Sequence, residues 1–190
     1  MTELEQYIKS YFGIVAIDDL KTMVSLFEPT TLKRGEFLLK TSKQCDKLSF
    51  VQSGLLRTFV TIDGKEVTQW ISTKGYFSTD LASFVFETPS RWSIQALVDT
   101  EIFSISKEDY KTIASLVPMW YELEKLFLVR CFTTLEDRIF THLSMTTEER
   151  YNFFFENNKE LFNQVPLHYI ASMLGMTPET FSRIRKKQLH

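Results

Sequence analysis

Between Thr31 and Ser106 the chain is written in short β-rich runs, and no other stretch constrains the fold as much. FLLK, LSFV, LLRTFVTI, EVTQWIS, WSIQALV and EIFSIS read as strands, separated by Arg34-Gly35, Ser53-Gly54, Asp63-Gly64 and Lys74-Gly75. Asp63-Gly64 between two such runs is a hairpin signal, because a type I′ turn needs φ > 0 at both central residues. Short strands at near-regular spacing predict a small antiparallel barrel or jelly roll. No internal repeat or low-complexity tract interrupts them.

Both flanks are helical. Residues 3–27 predict a helix, a break near Gly13, and a second helix opening at Asp18. After the strands, SKEDYKTIASLV predicts a short helix capped by Ser106 with Asp109 at the capping-box position. Pro118 opens a long helix reaching about Leu143, with two offset apolar stripes. The first is Trp120, Leu123, Phe127 and Cys131; the second is Leu128, Phe132, Leu135, Ile139 and Leu143. Both faces need burial. One covers the barrel, and the other takes the same helix of a second subunit or a thicker core within one chain. The 17 Phe residues supply an aromatic core or interface. Thr146, with Glu149 three residues on, opens a further helix. The division expected is 1–117, a β-barrel domain; 118–145, a long helix; and 146–190, a small helical domain.

That last part ends in IASMLGMTPETFSRIRKK. Pro166 suits a first helical position. Gly175 suits the left-handed end of that helix, and Thr177-Pro178-Glu179 suits the start of the next. Counting from Leu167, the fifth residue is Ala171, which lets two helices cross closely, and the ninth is Gly175, which makes the turn. Ile170, Leu174, Met176, Phe181 and Ile184 take the apolar positions of a helix-turn-helix. The second helix then presents Thr177, Glu179, Thr180, Ser182, Arg183, Arg185, Lys186 and Lys187, a polar, cationic face sized for a DNA major groove. Arg183 suits a guanine edge and Glu179 a cytosine amino group or a salt bridge to Arg183. Thr180 and Ser182 suit phosphates or base edges, and Arg185, Lys186 and Lys187 suit phosphates.

Charge agrees with a local anionic partner. Residues 164–190 carry four Lys/Arg against Glu179, or +3, which leaves −5 for residues 1–163 of a chain of net charge −2. The alternative is a solvated helix whose cations complement its dipole. No apolar run approaches the ~20 residues of a membrane span. MTELEQYIKS lacks the form of a signal peptide. Cys45 and Cys131 alone make no disulfide framework, so a reducing cytoplasm is expected. His142, His168 and His190 have no metal-ligand spacing with the cysteines, and no catalytic residues are assigned.

A jelly roll, a long helix and a terminal helix-turn-helix together resemble the Crp/Fnr family of bacterial regulators. KRGEFL, FVQSGLLR, IDGKE, KGYFSTDLASF and IQALVDTEIFSISKEDY are similar to its cyclic-nucleotide-binding fold. The stretch from Thr146 to Lys187 is similar to members common in Bacteroidota. The resemblance implies an α+β fold, no enzymatic activity, and a homodimer held by the long helices. It also implies double-stranded DNA with palindromic half-sites ~34–36 Å apart and RNA polymerase as partners.

It further implies an effector pocket drawn from Phe77, Thr79, Asp80, Leu81, Ser90, Arg91, Leu123 and Glu124. Nucleotide-responsive members hold the ribose with a Gly-Glu-Leu stretch, here Thr79-Asp80-Leu81. They hold the cyclic phosphate with Arg-Ser/Thr, here reversed as Ser90-Arg91. Leu123 and Glu124 stand where such members place hydroxyls. The effector is therefore left open: a cyclic nucleotide, another small molecule, or none. The family's iron–sulfur sensors need N-terminal cysteines, and nothing marks a haem site. The sequence stops at His190, so a domain without a wing is expected, with steep salt dependence. A small-molecule-binding or scaffolding protein with a protein-binding tail is the alternative; a cupin-type enzyme would need clustered His/Glu ligands.

Overall fold

The computed structural model describes residues 2–13 and 15–188. They form two compact units, one of Met1–Thr58 with Ile71–Phe132, the other of Phe59–Trp70 with Thr133–His190.

The first unit opens with α1 (Glu3–Phe12), capped by a reciprocal Thr2/Glu5 box and burying Leu4, Ile8 and Phe12 at four-residue spacing. After α2 (Ile17–Ser25) come β1 (Glu28–Leu32), β2 (Phe37–Leu39), β3 (Lys47–Ser53), β4 (Leu56–Ile62), β5 (Lys65–Ser72) and β6 (Phe77–Ser78). A short helix α3 (Leu81–Phe86), then β7 (Ser93–Ala96), β8 (Thr100–Ser106), α4 (Lys107–Leu116) and the long α5 (Trp120–Ser144) follow. The strands make two four-stranded sheets, β1-β8-β3-β6 and β2-β7-β4-β5. Both Asp63 (φ 50°) and Gly64 (φ 75°) take the positive φ the β4–β5 hairpin requires.

Phe50, Val51, Ile102 and Ile105 of one sheet share a core with Leu39, Leu56, Ile94 and Ala96 of the other. Each of these side chains larger than Ala96 contributes roughly 1.5–3 kcal/mol on burial. The helices close it with rings: Phe12 stacks on Phe127 at 4.9 Å and on Trp120 at 5.6 Å, and Phe77 meets Phe127 edge-on at 5.4 Å.

Two details differ from the sequence expectation. The β region begins at Glu28, before Thr31, because β1 pairs along β8 in register from Glu28↔Ser104 to Leu32↔Thr100. Its side chains are mostly exposed, so no hydrophobic alternation announces it. The long helix starts at Trp120, two residues after Pro118, since Val117 is extended (φ −119°, ψ 108°), as a residue before proline prefers.

The second unit carries the end of α5, α6 (Thr147–Asn157), α7 (Leu161–Gln164), α8 (Leu167–Met173) and α9 (Pro178–Gln188). Its core is aromatic: Tyr151 lies 5.0 Å from Phe181, and Phe155 lies 4.9 Å from Phe162. The Thr146/Glu149 capping box forms as expected. Pro166 is the cap residue of α8 (φ −52°, ψ 124°), not its first helical residue. The hairpin arm belongs to this unit, and β5 is the last strand of its sheet. Thr68 N–H donates to Ser172 Oγ at 2.9 Å. Arg138 donates to Gln69 O and, at 3.0 Å, to Met173 O, while its guanidinium lies 5.3 Å from the Trp70 ring.

Candidate functional site

α8 and α9 are joined by a turn whose geometry follows from three residues. Ala171 is fully buried, so nothing larger than a methyl stands there between the helices. Gly175 adopts φ 69°. Its N–H donates to Ser172 O at 3.0 Å and that of Met176 to Ala171 O at 2.9 Å, the paired bonds of a Schellman motif. Thr177 Oγ1 then accepts from Thr180 N–H at 3.2 Å, opening α9. Arg150 and Arg138 place cations on the last carbonyls of α8, through Leu174 O and Met173 O.

Phe181 and Ile184 anchor α9 inward. Glu179, Ser182, Arg183, Lys186 and Lys187 are exposed and line one open depression. Thr177 is exposed, whereas Thr180 and Arg185 are half-buried. The Glu179 carboxyl is held below its ordinary range by its own backbone N–H and the Thr177 hydroxyl, so it is an anion at the α9 N-terminus. Lys187 Nζ lies 3.5 Å from the Glu148 carboxylate. His190 lies outside the described residues.

The eight expected effector residues are placed differently. Phe77 sits in the aromatic core with Phe50 and Phe127. Leu123 is buried in that core, and Glu124 accepts from the Tyr110 hydroxyl at 2.8 Å. That bond, with burial as the larger cause, drives the tyrosine pKa far up. Thr79 Oγ1 donates to Lys47 O at 2.9 Å, and Leu81 and Arg91 are exposed.

Asp80 and Ser90 do come together, and they bond each other. Asp80 caps α3, its Oδ1 accepting from Ser83 N–H at 3.2 Å. Its Oδ2 accepts from Ser90 Oγ at 2.7 Å and Arg91 N–H at 3.2 Å. Sequence reading missed Ser83, whose hydroxyl accepts from Cys45 N–H at 2.9 Å and donates to Thr88 O at 2.6 Å. Asp80 directly ahead of LASFVF was the available sign of a capped helix. A cyclic phosphate needs donors that are not already engaged. Here the backbone N–H groups of Ser83 and Arg91 and the Ser90 hydroxyl converge on a carboxylate of the chain itself, so these three donors are already engaged and do not fit that group.

Residues 29–115 match the family described as Cyclic nucleotide-binding domain. The β-rich unit therefore has the fold of that domain, with a helical region C-terminal to it. Solved structures extend the likeness along the chain. FixK2 from Bradyrhizobium japonicum is similar with a TM-score of 0.69 and 18% identity, covering 85% of this chain and 83% of that one. CLP of Xanthomonas campestris, described as a c-di-GMP responsive global regulator, gives 0.67 and 14%, covering 92% of both. Thermus thermophilus Catabolite Activator Protein gives 0.59 and 23%, covering 93% and 85%. These neighbours are regulators of the Crp/Fnr type. No curated protein matches the sequence. Among the described residues no helix is long and apolar enough to cross a membrane.

Proposed function

We propose that the chain is a sequence-specific, DNA-binding transcriptional regulator of the Crp/Fnr type, of the form common in Bacteroidota, acting as a cytoplasmic homodimer. One observation carries this reading. α8 and α9 are two short helices joined by a tight turn at Gly175, as a helix-turn-helix requires, and the cationic face of α9 is open to solvent rather than packed on its own unit.

In this reading Arg183 reads a base edge, with Glu179 one turn earlier, while Lys186 and Arg185 hold phosphates. Lys187 divides its charge between Glu148 and the backbone of DNA. The dimer is supported by Leu128, Phe132, Leu135, Ile139 and Leu143, which recur along α5 and are all exposed in the single chain. A stripe of that length matches a second copy of the same helix, placing two α9 helices to read a palindrome. RNA polymerase is the partner such a regulator addresses. The likeness to regulators named for catabolite activation and for c-di-GMP response supports a sensory role for the β domain.

Selection of bound sites from random duplex DNA at moderate salt tests the proposal. A palindromic consensus is expected; recovery of no preferred sequence overturns it.

A further inference from the structure

We propose that Asp80 is a built-in anion that closes the effector cradle of the β domain, so that the protein neither needs nor admits a cyclic nucleotide there. This goes beyond the proposed function and does not depend on DNA binding.

Three donors from two stretches meet one carboxylate: Ser83 N–H from the first turn of α3, and the Ser90 hydroxyl and Arg91 N–H from the segment before β7. Convergent N–H and O–H groups are what an anionic ligand requires. Here the anion is covalently part of the chain. Asp80, Ser83 and Ser90 are all buried, at 6%, 1% and 3% exposure, so water does not supply these partners. The arrangement is braced from outside. Ser90 N–H donates to Lys43 O and Ser42 N–H to Ser90 O, both at 2.8 Å, and Trp92 N–H donates to Ser90 Oγ at 3.0 Å. A satisfied buried network of this kind is rigid and resists partial replacement. A phosphate entering the cradle would have to displace a carboxylate already bonded by both oxygens, and would leave two anions in one small buried space. Electrostatics opposes that strongly. The Glu124 carboxylate, also expected in the effector pocket, is engaged by Tyr110.

The test uses the full chain. Calorimetric titration with cyclic AMP and with cyclic GMP should give no saturable heat up to ~1 mM nucleotide. Without nucleotide, the amides of Ser83 and Arg91 should be protected from hydrogen exchange, and protection should fall about tenfold or more in Asp80→Ala. Asp80→Asn, which keeps one acceptor oxygen for the helix cap, should retain protection at Ser83 and lose it at Arg91. Saturable binding of either nucleotide to the unmodified protein overturns the proposal. So do Ser83 and Arg91 amides that exchange at unprotected rates in that protein, a measurement that needs no variant to fold.

Discussion

Thr68 N–H and Ser172 Oγ lie 2.9 Å apart, so an edge strand of the β structure borrows a hydrogen-bond partner from the helix that precedes α9. The Ser172 hydroxyl in turn reaches Glu66 O at 3.5 Å. Arg138 reinforces the junction from α5 through Gln69 O and Met173 O. Burial pulls its guanidinium pKa down, yet the two carbonyls and the Trp70 face compensate the charge.

Arg138→Ala should therefore destabilise the second unit by about 2–4 kcal/mol, because two charge-assisted bonds are lost and their carbonyls left without donors. Arg138→Lys should recover only part of this, since an ammonium lacks the planar fork. Urea denaturation followed by the near-ultraviolet signal of Trp70 and Tyr151 measures both.

Gly175→Ala separates backbone strain from steric conflict. An added Cβ would meet only the His142 ring, at 3.7 Å, an ordinary contact. The expected loss is thus the left-handed backbone term alone, about 1–2 kcal/mol. Gly175→Asn should cost less, because asparagine tolerates that conformation. Thermal melts of the three proteins decide it.

On a selected operator, Arg183→Ala should weaken binding by ~1–3 kcal/mol and relax preference at one base position. Lys186→Ala should weaken binding evenly across sequences and lower the salt slope by about one for each phosphate contact removed. Fluorescence anisotropy across a salt series distinguishes the two outcomes. Equal, sequence-independent effects would remove Arg183 from base reading.

Leu135→Glu and Ile139→Glu place charge on the exposed stripe of α5, where Leu135 is 46% and Ile139 59% exposed in the single chain. Neither should disturb the fold of a subunit, and each should shift sedimentation from dimer to monomer. Operator affinity should fall with it, as two half-sites are no longer read together.

Acid stability should depend on Glu149. Its carboxyl is held below the ordinary 4.5 by the Thr146 N–H first and the Thr146 hydroxyl second. A depressed folded-state pKa means a contribution fully present above the unfolded value and lost as pH falls through the folded one. Glu149→Gln keeps an acceptor but does not titrate. The gap in melting temperature between the two proteins should narrow as pH falls below the ordinary 4.5 of a glutamate. A constant gap would show that the capping box does not couple to protonation.

Where a structural decision lies within a few residues, it was legible in advance. Asp63-Gly64 specifies a turn whose two positive φ angles both appear. Thr146 with Glu149, Ser106 with Asp109, and Thr177 with Thr180 bond within one helical turn. The offset stripes of α5 predict two faces that need burial; in the single chain Trp120, Leu123 and Phe127 of the first are buried and Cys131 half-buried, while the second is exposed. By contrast, β1 carries no alternation, and α3 is six residues long, too short to display a period.

The same divide runs through the candidate sites. That Phe181 and Ile184 of α9 turn inward while Glu179, Ser182, Arg183, Lys186 and Lys187 turn outward followed from helical spacing, a local property of the sequence; Thr180 and Arg185, expected outward, are half-buried. The fate of Asp80 did not. A carboxylate in that position can face a ligand or its own chain, and the choice fell to Ser90 and Arg91, ten and eleven residues on. Ser172 and Thr68 are 104 positions apart, and nothing in either neighbourhood announces the other. Local sequence sets backbone preferences and caps, because those energies act within a turn. Pairing of buried polar groups is decided only when the fold brings distant donors and acceptors together away from water, where leaving one unpaired is costly.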